Sequence, residues 1–403
     1  MNTAVAKFSG WMRKQNMLTV VFYLIVLLAL AASIQHLLLE PKQIAGSEQK
    51  YTAYNNYIIF KNSFFHLLDH KDLYTLYLSE QWDLYKYSPA FAVFFGLFAY
   101  MPDAAGLICW NLLNALVFFF AIKALPAPDN KKKSLIILFC FIELLGSLQY
   151  SQSNALMAGL IIFAFVFAER SQLFLSVLFV MLSVFIKIYG VVGFAIYLFY
   201  PQKIKAALYA VFWLVLLAIL PLAVAGFDNL LFQYKSWFAM MSEDHSASLG
   251  LSVTGIIQAW FNTNISKDIV AASGVLLFCL PLLRFGCYKS LTFRMLLLSS
   301  VPIWMVIFNH KAESPTFIIA VCGVALWYFA QPANKLNLAL LLLCLLFTTF
   351  SVTDLFPPYV RENFVKPYLI KAVMPVIIWF KLLYDMLVYK TADSGNYALH
   401  KIN

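Results

Sequence analysis

The sequence predicts an all-α protein, a polytopic transmembrane helical bundle of about twelve spans. Of its 403 residues, 62% are apolar and 12% are charged, and its mean hydropathy is +0.78. These values lie far outside the range of soluble globular domains. A span needs about 20 mostly apolar residues and must satisfy its backbone hydrogen bonds internally, so helices are the expected elements. We therefore expect one integral membrane domain over residues 1–403.

Apolar runs separated by polar residues, proline or glycine define the individual spans. The first run follows a cationic segment, is long, and has no small-residue cleavage site after it, so we expect a retained anchor rather than a signal peptide. The remaining spans lie within residues 104–389, and residues 390–403 form a tail. The predicted spans are 17–38, 104–124, 134–148, 153–168, 171–187, 189–200, 204–225, 268–284, 291–308, 314–330, 334–350 and 369–389.

Lysine and arginine in the short loops predict the orientation, because these residues favour the cytoplasmic side. With the amino terminus inside, alternation of the spans places Lys123, residues 131–133, Arg170, Arg284 and Lys390 on that side. We interpret the net charge of +10 as this topology signal plus attraction to anionic headgroups, not as affinity for nucleic acid. We expect both termini to be cytoplasmic and the membrane to be a bacterial inner membrane.

Residues 39–103 are predicted to form a long extracytoplasmic first loop that carries short interfacial helices. Carboxylates, amides and aromatic residues crowd between residues 40 and 88. The apolar stretch 89–101 follows Tyr-Ser-Pro and is too short to cross the bilayer, so we expect it to lie in or dip into the interface. Since polar groups also accumulate at the outer ends of later spans, the outer face is the predicted place for chemistry.

Several short motifs in this chain resemble glycosyltransferase family 87. They are the segment 57–74, Lys86-Tyr87-Ser88-Pro89, the run from Trp110 to Asn114, Ser151-Gln152-Ser153-Asn154, Ile186-Lys187-Ile188-Tyr189 and Ser252-Val253-Thr254-Gly255. The fourth motif stands where the family usually has Gly-Gln-x-Asn. The similarity covers residues 20–330.

The resemblance implies a C-type membrane glycosyltransferase architecture. Such an enzyme moves a hexosyl group, commonly mannosyl, from a polyprenyl-phosphate donor to a lipid-linked or other acceptor at the extracytoplasmic face. The implied partners are membrane lipids, the polyprenyl-phosphate sugar and a glycolipid or glycan acceptor, without nucleic acid.

The sequence predicts neither a cofactor nor a metal, and the lipid-linked sugar serves as donor substrate. No Gly-x-Gly-x-x-Gly follows a strand, so a domain for nucleotide sugars is not expected. The six cysteines form no ligand-like pair, and the histidines show no ligand spacing.

Direct displacement at an anomeric carbon needs a general base for the acceptor hydroxyl, and cationic or amide groups for the departing phosphate. In the family a catalytic Asp lies early in the first loop, and counting back from Asp72 to that place gives Asn56. An amide cannot act as a base, so another acid takes the role, the register differs, or the chemistry has changed. The candidate catalytic residues are Asp72, His310, Glu313, Asn56 and Glu48.

Groups that could bind the donor phosphate or sugar lie at the predicted outer ends of spans. Lys187 ends an apolar span on the outer side, against the positive-inside trend, and is the proposed phosphate ligand. Gln152 and Asn154 begin a span at the same face. Tyr85, Lys86 and Tyr87 could bind the donor or could anchor the loop at the headgroup level. The full set is Lys187, Gln152, Asn154, Lys311, Tyr85, Lys86 and Tyr87.

Structural explanations and other functions remain open for this set. Asn55 and Asn56 could cap a helix beginning at Tyr57, residues 309–313 could be a solvated turn, and Glu143 is expected to make a structural hydrogen bond inside the bundle. The alternative functions are a lipid or polysaccharide transporter and a catalytically inactive relative that binds lipid-linked sugar. A transporter would be expected to show related halves and polar or broken helices near the midplane.

Overall fold

The computed structural model describes residues 16–44, 49–243 and 249–390. Nearly all regular elements in these ranges are helices, which confirms the all-α prediction. Two short antiparallel strands, β1 (Lys42–Gln43) and β2 (Lys50–Tyr51), pair at the start of the first loop. The fold is therefore a helical assembly with the long first loop at one end.

The described residues of the first half of the chain form eight helices. The first begins at the predicted residue, and the Asn16 side chain caps it by accepting a hydrogen bond of 3.2 Å from the Leu18 amide. The helices are α1 Met17–Leu38, α2 Asn55–Leu68, α3 Pro89–Ala99, α4 Asp103–Ala124, α5 Asn130–Phe139, α6 Phe141–Gln149, α7 Asn154–Glu169 and α8 Leu173–Ile186.

The second half opens with a 3₁₀ helix, Ile188–Phe199, and its described residues, which end at 390, continue with eight α-helices of eight residues or more. Shorter 3₁₀ and π turns connect several of them. The long helices are α9 Lys203–Ile219, α10 Leu222–Glu243, α11 Val253–Phe261, α12 Lys267–Cys279, α13 Leu291–Ile307, α14 Phe317–Phe329, α15 Lys335–Cys344 and α16 Ile370–Leu387.

Three helical runs of the described chain are long and apolar enough to cross a bilayer: α1, α4 and the continuous run Lys335–Val352. The pair α9 and α10 would add a fourth if counted as one span, but it is bent by 93°. Many other predicted spans correspond to apolar helices of only 10–17 residues. A 16-residue helix rises about 24 Å, short of a hydrocarbon core of about 30 Å. The number of about twelve spans stays a prediction.

Some predicted elements differ in the structure. The span expected at 134–148 is broken at Cys140 into α5 and α6. The span expected at 189–200 is a 3₁₀ helix, which rises about 2 Å per residue and so reaches farther than an α-helix of equal length. The segment between the spans expected at 204–225 and 268–284 contains most of α10 and all of α11. Because this segment is rich in polar residues, the sequence predicted a loop where the structure has an amphipathic helix.

The bundle core is apolar and aromatic. Trp110, Trp327 and Trp379 are fully buried where the helices meet. In contrast, α9 buries only Ala206 and leaves Ile204 80% exposed. An all-round apolar helix with so little burial is typical of a lipid-facing position.

One ion pair lies inside the bundle. Glu143 of α6 accepts a 2.6 Å hydrogen bond from Lys371 Nζ of α16, and both side chains are at most 4% exposed. The Lys371 ammonium also lies 5.2 Å from the centre of the Phe317 ring. Glu143 thus has the structural role that its place in an apolar run predicts, with a partner 228 residues away.

The first loop is packed rather than extended into solvent. Phe60 of α2 contacts the rings of Phe91 and Phe95 of α3 and of Trp110 of α4, with centroids 5.3–5.8 Å apart. Phe91 and Phe95 are nearly or fully buried. Helices α2 and α3 lie in this loop, and their aromatic faces fix the loop to one end of the bundle. Their interfacial position and the side of the membrane stay predictions.

Candidate active site at one end of the bundle

A polar stripe on α10 holds the first loop in place. Gln233 is fully buried; its Oε1 accepts from the Leu73 amide at 3.0 Å, and its Nε2 donates to the Lys71 carbonyl at 2.7 Å. One turn earlier, Asn229 donates to the Leu67 carbonyl at 3.3 Å. This docking fixes the turn that carries Asp72.

Asp72 itself is bonded to the same stripe. The Ser236 hydroxyl lies 2.7 Å from Oδ1 and 2.8 Å from Oδ2 of Asp72, and the Tyr74 amide donates to Oδ1 at 3.0 Å. The carboxylate faces a cavity of about 470 Å³ between α10 and the loop, which Lys86 and Met240 also line. Sequence reasoning selected Asp72 but missed Ser236, Gln233 and Asn229. Their i, i+4, i+7 spacing is the signal that could have found them.

Residues 85–88 connect this cavity to the bundle. Tyr85 and Tyr87 are buried, whereas Lys86 is exposed and lies 3.1 Å from Asp83. Burial raises the pKa of the Tyr87 phenol, so its hydroxyl stays protonated and accepts a hydrogen bond from Ser153 at 3.2 Å. Ser88 caps α3 and donates to the Phe185 carbonyl near the end of α8. The two tyrosines are thus not headgroup anchors.

The turn between α6 and α7 is held by the tryptophan-asparagine motif of α4. Trp110 Nε1 donates to the Ser151 carbonyl at 2.8 Å, and Asn114 Oδ1 accepts from the Leu156 amide at 3.1 Å. Ser151 has φ +50°, a conformation that glycine adopts without a Cβ penalty. This explains physically why glycine suits the first position of the Gly-Gln-x-Asn pattern.

A chain of hydrogen bonds joins polar groups at the start of α7, the end of α8 and the turn before α14. Lys187 Nζ donates to Asn154 Oδ1 at 2.7 Å, and Asn154 Nδ2 donates to Gln152 Oε1 at 2.6 Å and to the Pro315 carbonyl at 3.0 Å. Gln152 Nε2 lies 3.3 Å from Glu313 Oε2. We call Lys187, Asn154, Gln152 and Glu313 the lysine-amide cluster.

Aromatic rings surround the ammonium of this cluster. Lys187 Nζ lies 5.6 Å from the centre of the Tyr87 ring and 5.9 Å from that of Tyr189. Asn154 is fully buried, while Glu313 is exposed. A cation held over rings and by an amide oxygen is a group that attracts anions.

The turn 309–313 is built against a second segment. The Leu251 amide donates to the Ala312 carbonyl at 2.9 Å, and the Lys311 amide donates to Asn309 Oδ1 at 3.0 Å. Gly250 has φ +52°, and a Cβ there would lie 2.4 Å from the His310 carbonyl oxygen. Glycine is therefore required for this close approach, which sets the direction of the turn carrying His310, Lys311 and Glu313.

The remaining candidates lie elsewhere. Asn56 Nδ2 donates to the Tyr150 carbonyl at 2.8 Å, which ties α2 to the turn before α7. The cap interpretation of the two asparagines is wrong, because α2 begins at Asn55 with Tyr54 as its cap residue. Glu48 lies outside the described residues. In the part of the chain that the structure describes, no group of three or more His, Cys, Asp or Glu side chains is placed to hold a metal ion.

Comparison with protein-family models shows the family to which the chain belongs. The model of glycosyltransferase family 87 matches residues 85–353, well over half of the chain. The chain belongs to glycosyltransferase family 87. The resemblance predicted from the motifs is therefore confirmed. No curated protein matches the chain.

Membership of family 87 identifies the protein as an integral membrane glycosyltransferase. The matched region contains the whole lysine-amide cluster, residues 85–88 and the turn 309–313. Asn56 and Asp72 precede it. The lysine-amide cluster, at the ends of α7, α8 and α14, therefore lies within the region matched by family 87.

Proposed function

We propose that the protein transfers a hexosyl group from a polyprenyl-phosphate donor to a lipid-linked or other acceptor at the extracytoplasmic face. Mannosyl is the hexosyl group that we propose. The observation that carries this proposal is the position of Lys187. Its ammonium is held by Asn154 at 2.7 Å at the outer end of α8, beside two tyrosine rings. A cation at this depth suits a phosphate whose lipid tail stays in the bilayer.

The lysine-amide cluster supplies the electrostatic part of the reaction. When the bond between the anomeric carbon and the phosphate oxygen breaks, negative charge grows on the phosphate. Lys187 stabilises that charge, and the side-chain amide of Gln152 is a further donor at the same place. Asn154 keeps the ammonium oriented, because its amide nitrogen is fixed by Gln152 and by the Pro315 carbonyl.

Glu313 is the proposed general base. Its carboxylate is hydrogen-bonded into the cluster through Gln152 and remains exposed, so an acceptor hydroxyl can reach it. The acceptor oxygen attacks the anomeric carbon, Glu313 takes the hydroxyl proton, and the polyprenyl phosphate leaves. His310, three residues earlier on the same turn, is the alternative base, since imidazole takes a proton near neutral pH.

Reconstitution tests the proposal. The purified protein in detergent is given radiolabelled polyprenyl-phosphate mannose and a membrane lipid extract, and labelled product is followed. Labelled glycolipid is expected. If no sugar is transferred and the protein translocates lipid in vesicles, the transferase proposal is rejected and the protein is a transporter.

The orientation has its own test. Single cysteines placed at Glu80 and at Lys335, in a variant without native cysteines, are treated with a membrane-impermeant thiol reagent in whole cells. Labelling at residue 80 and protection at residue 335 are expected. The reverse pattern would place the first loop in the cytoplasm and remove the proposed access to an extracytoplasmic acceptor.

One observation favours the second candidate, a relative that binds lipid-linked sugar without transfer. Asn56 stands where the resemblance places a catalytic Asp, and its amide donates to the Tyr150 carbonyl. A carboxylate in its place would face that carbonyl without a proton to donate. Under our proposal the Asn56→Asp variant has no more transferase activity than the wild-type chain. A gain of transfer in this variant would show that the native chain lacks its base.

A further inference from the structure

We propose that the cavity between α10 and the loop segment 72–86 binds a sugar ring of the acceptor, which rests on the proposed transferase function. The cavity has a volume of about 470 Å³, within the range of small-molecule sites. It is separate from the lysine-amide cluster. Its lining combines a fixed carboxylate with apolar side chains, the combination that polyhydroxylated rings require.

The carboxylate of Asp72 has unused capacity for hydrogen bonds. An ionised carboxylate offers about four acceptor positions. The Tyr74 amide occupies one, and the single proton of the Ser236 hydroxyl can occupy only one more, although that oxygen lies within 2.8 Å of both carboxylate oxygens. The remaining positions can accept hydrogen bonds from two neighbouring sugar hydroxyls.

The charges around the cavity favour a neutral ring over a phosphate. Of the described residues that line it, Asp72 and Glu243 are anionic and Lys86 is cationic, and the Lys86 ammonium lies 3.1 Å from Asp83. An anion would meet two carboxylates and a cation that is already paired. Leu84 and Met240 line the same cavity and offer apolar surface to the C–H face of a ring.

Two consecutive residues, Lys86 and Tyr87, connect the cavity to the proposed reaction centre. Lys86 lines the cavity, and the ring of Tyr87 lies beside the Lys187 ammonium. The Tyr74 hydroxyl, also at the cavity, donates to the Tyr87 carbonyl at 2.9 Å. A ring held by Asp72 would therefore lie on the other side of the 86–87 segment from the donor phosphate, and the sugar to be extended could reach across it.

Binding of octyl α-mannoside and of a short polyprenyl phosphate, each measured separately by saturation-transfer NMR on the purified full chain, tests the site. Asp72→Asn and Ser236→Ala are expected to weaken mannoside binding about tenfold or more, the loss for one or two charge-assisted hydrogen bonds, with polyprenyl phosphate affinity unchanged. Lys187→Met is expected to show the reverse. Ser242→Ala is the matched control, because that exposed hydroxyl donates to the Ala239 carbonyl of its own helix.

The outcomes separate this site from the transferase proposal. If transfer to membrane lipid occurs and Asp72→Asn and Ser236→Ala keep wild-type affinity for the mannoside, the site is overturned and the function stands. If no transfer occurs but these variants lose mannoside binding, the site stands and the transferase proposal fails. A wild-type chain that binds no mannoside also overturns the site. Thermal unfolding of each variant confirms that a loss is not due to misfolding.

Discussion

Lys187 Nζ lies 2.7 Å from Asn154 Oδ1, joining the end of α8 to the start of α7. The two residues occupy the same face because α7 and α8 are antiparallel neighbours in the chain. This hydrogen bond fixes the orientation of the Lys187 ammonium at the end of an apolar segment. It also connects the charge through Gln152 to Glu313, so that a cation for the leaving group and a carboxylate for the acceptor belong to one network.

Replacing Lys187 by Met should raise the donor KM by about ten- to a hundredfold, because a charge-assisted contact to phosphate is lost. It should also lower kcat, because the charge that grows on the leaving phosphate loses its cation. Lys187→Arg should recover part of the loss. The matched control is Lys366→Met, since Lys366 is exposed and pairs with Glu362 away from the cluster. Steady-state kinetics with varied donor checks this. An unchanged donor KM in Lys187→Met would remove Lys187 from the phosphate site.

Replacing Glu313 by Gln should lower kcat by about a hundredfold or more while leaving both KM values near wild type, because the amide keeps the shape but cannot take a proton. The acid limb of the pH–rate profile should disappear in this variant. His310→Asn serves as the comparison. If that variant, and not Glu313→Gln, loses the acid limb, the base is His310.

Replacing Ser151 by Gly should stabilise the protein by about 0.5–1 kcal/mol. Glycine removes the steric cost of a Cβ in the left-handed conformation at φ +50°. This gain outweighs the larger chain entropy of glycine in the unfolded state. Ser151→Ala is the matched control, because it also removes the hydroxyl but keeps the Cβ. Thermal unfolding in detergent measures both, and equal melting temperatures for the two variants would contradict the explanation.

Removing either partner of the buried pair Glu143 and Lys371 should destabilise the bundle by about 3–5 kcal/mol, because the other charge stays buried without compensation. The double variant Glu143→Leu with Lys371→Met should recover most of that loss. Unfolding of the two single variants and the double variant forms a double-mutant cycle. Additive losses would show that the two charges do not interact in the folded protein.

Local sequence determined the class of the protein and predicted which helix ends share one face. Runs of apolar residues cannot leave backbone groups unpaired in lipid, so they predict helices and place their ends. From those ends alone, Gln152, Asn154, Lys187 and Glu313 could be assigned to one face. Their hydrogen-bonded order, by contrast, depends on how α7, α8 and α14 pack, which no local pattern specifies.

Tertiary structure alone decided the contacts between residues far apart in the chain. Ser236 meets Asp72 across 164 residues, and Lys371 meets Glu143 across 228. The polar residues of α10 predicted a loop, because in sequence they look solvated; the structure shows that they bind the backbone of the first loop. A hydrophobic pattern reports whether a side chain prefers burial, but a polar side chain becomes buried only when a specific distant partner satisfies it. For that reason the sequence predicted the helices and the chemistry at their ends, while the cavity beside Asp72 emerged only from the packing of α10 on the loop.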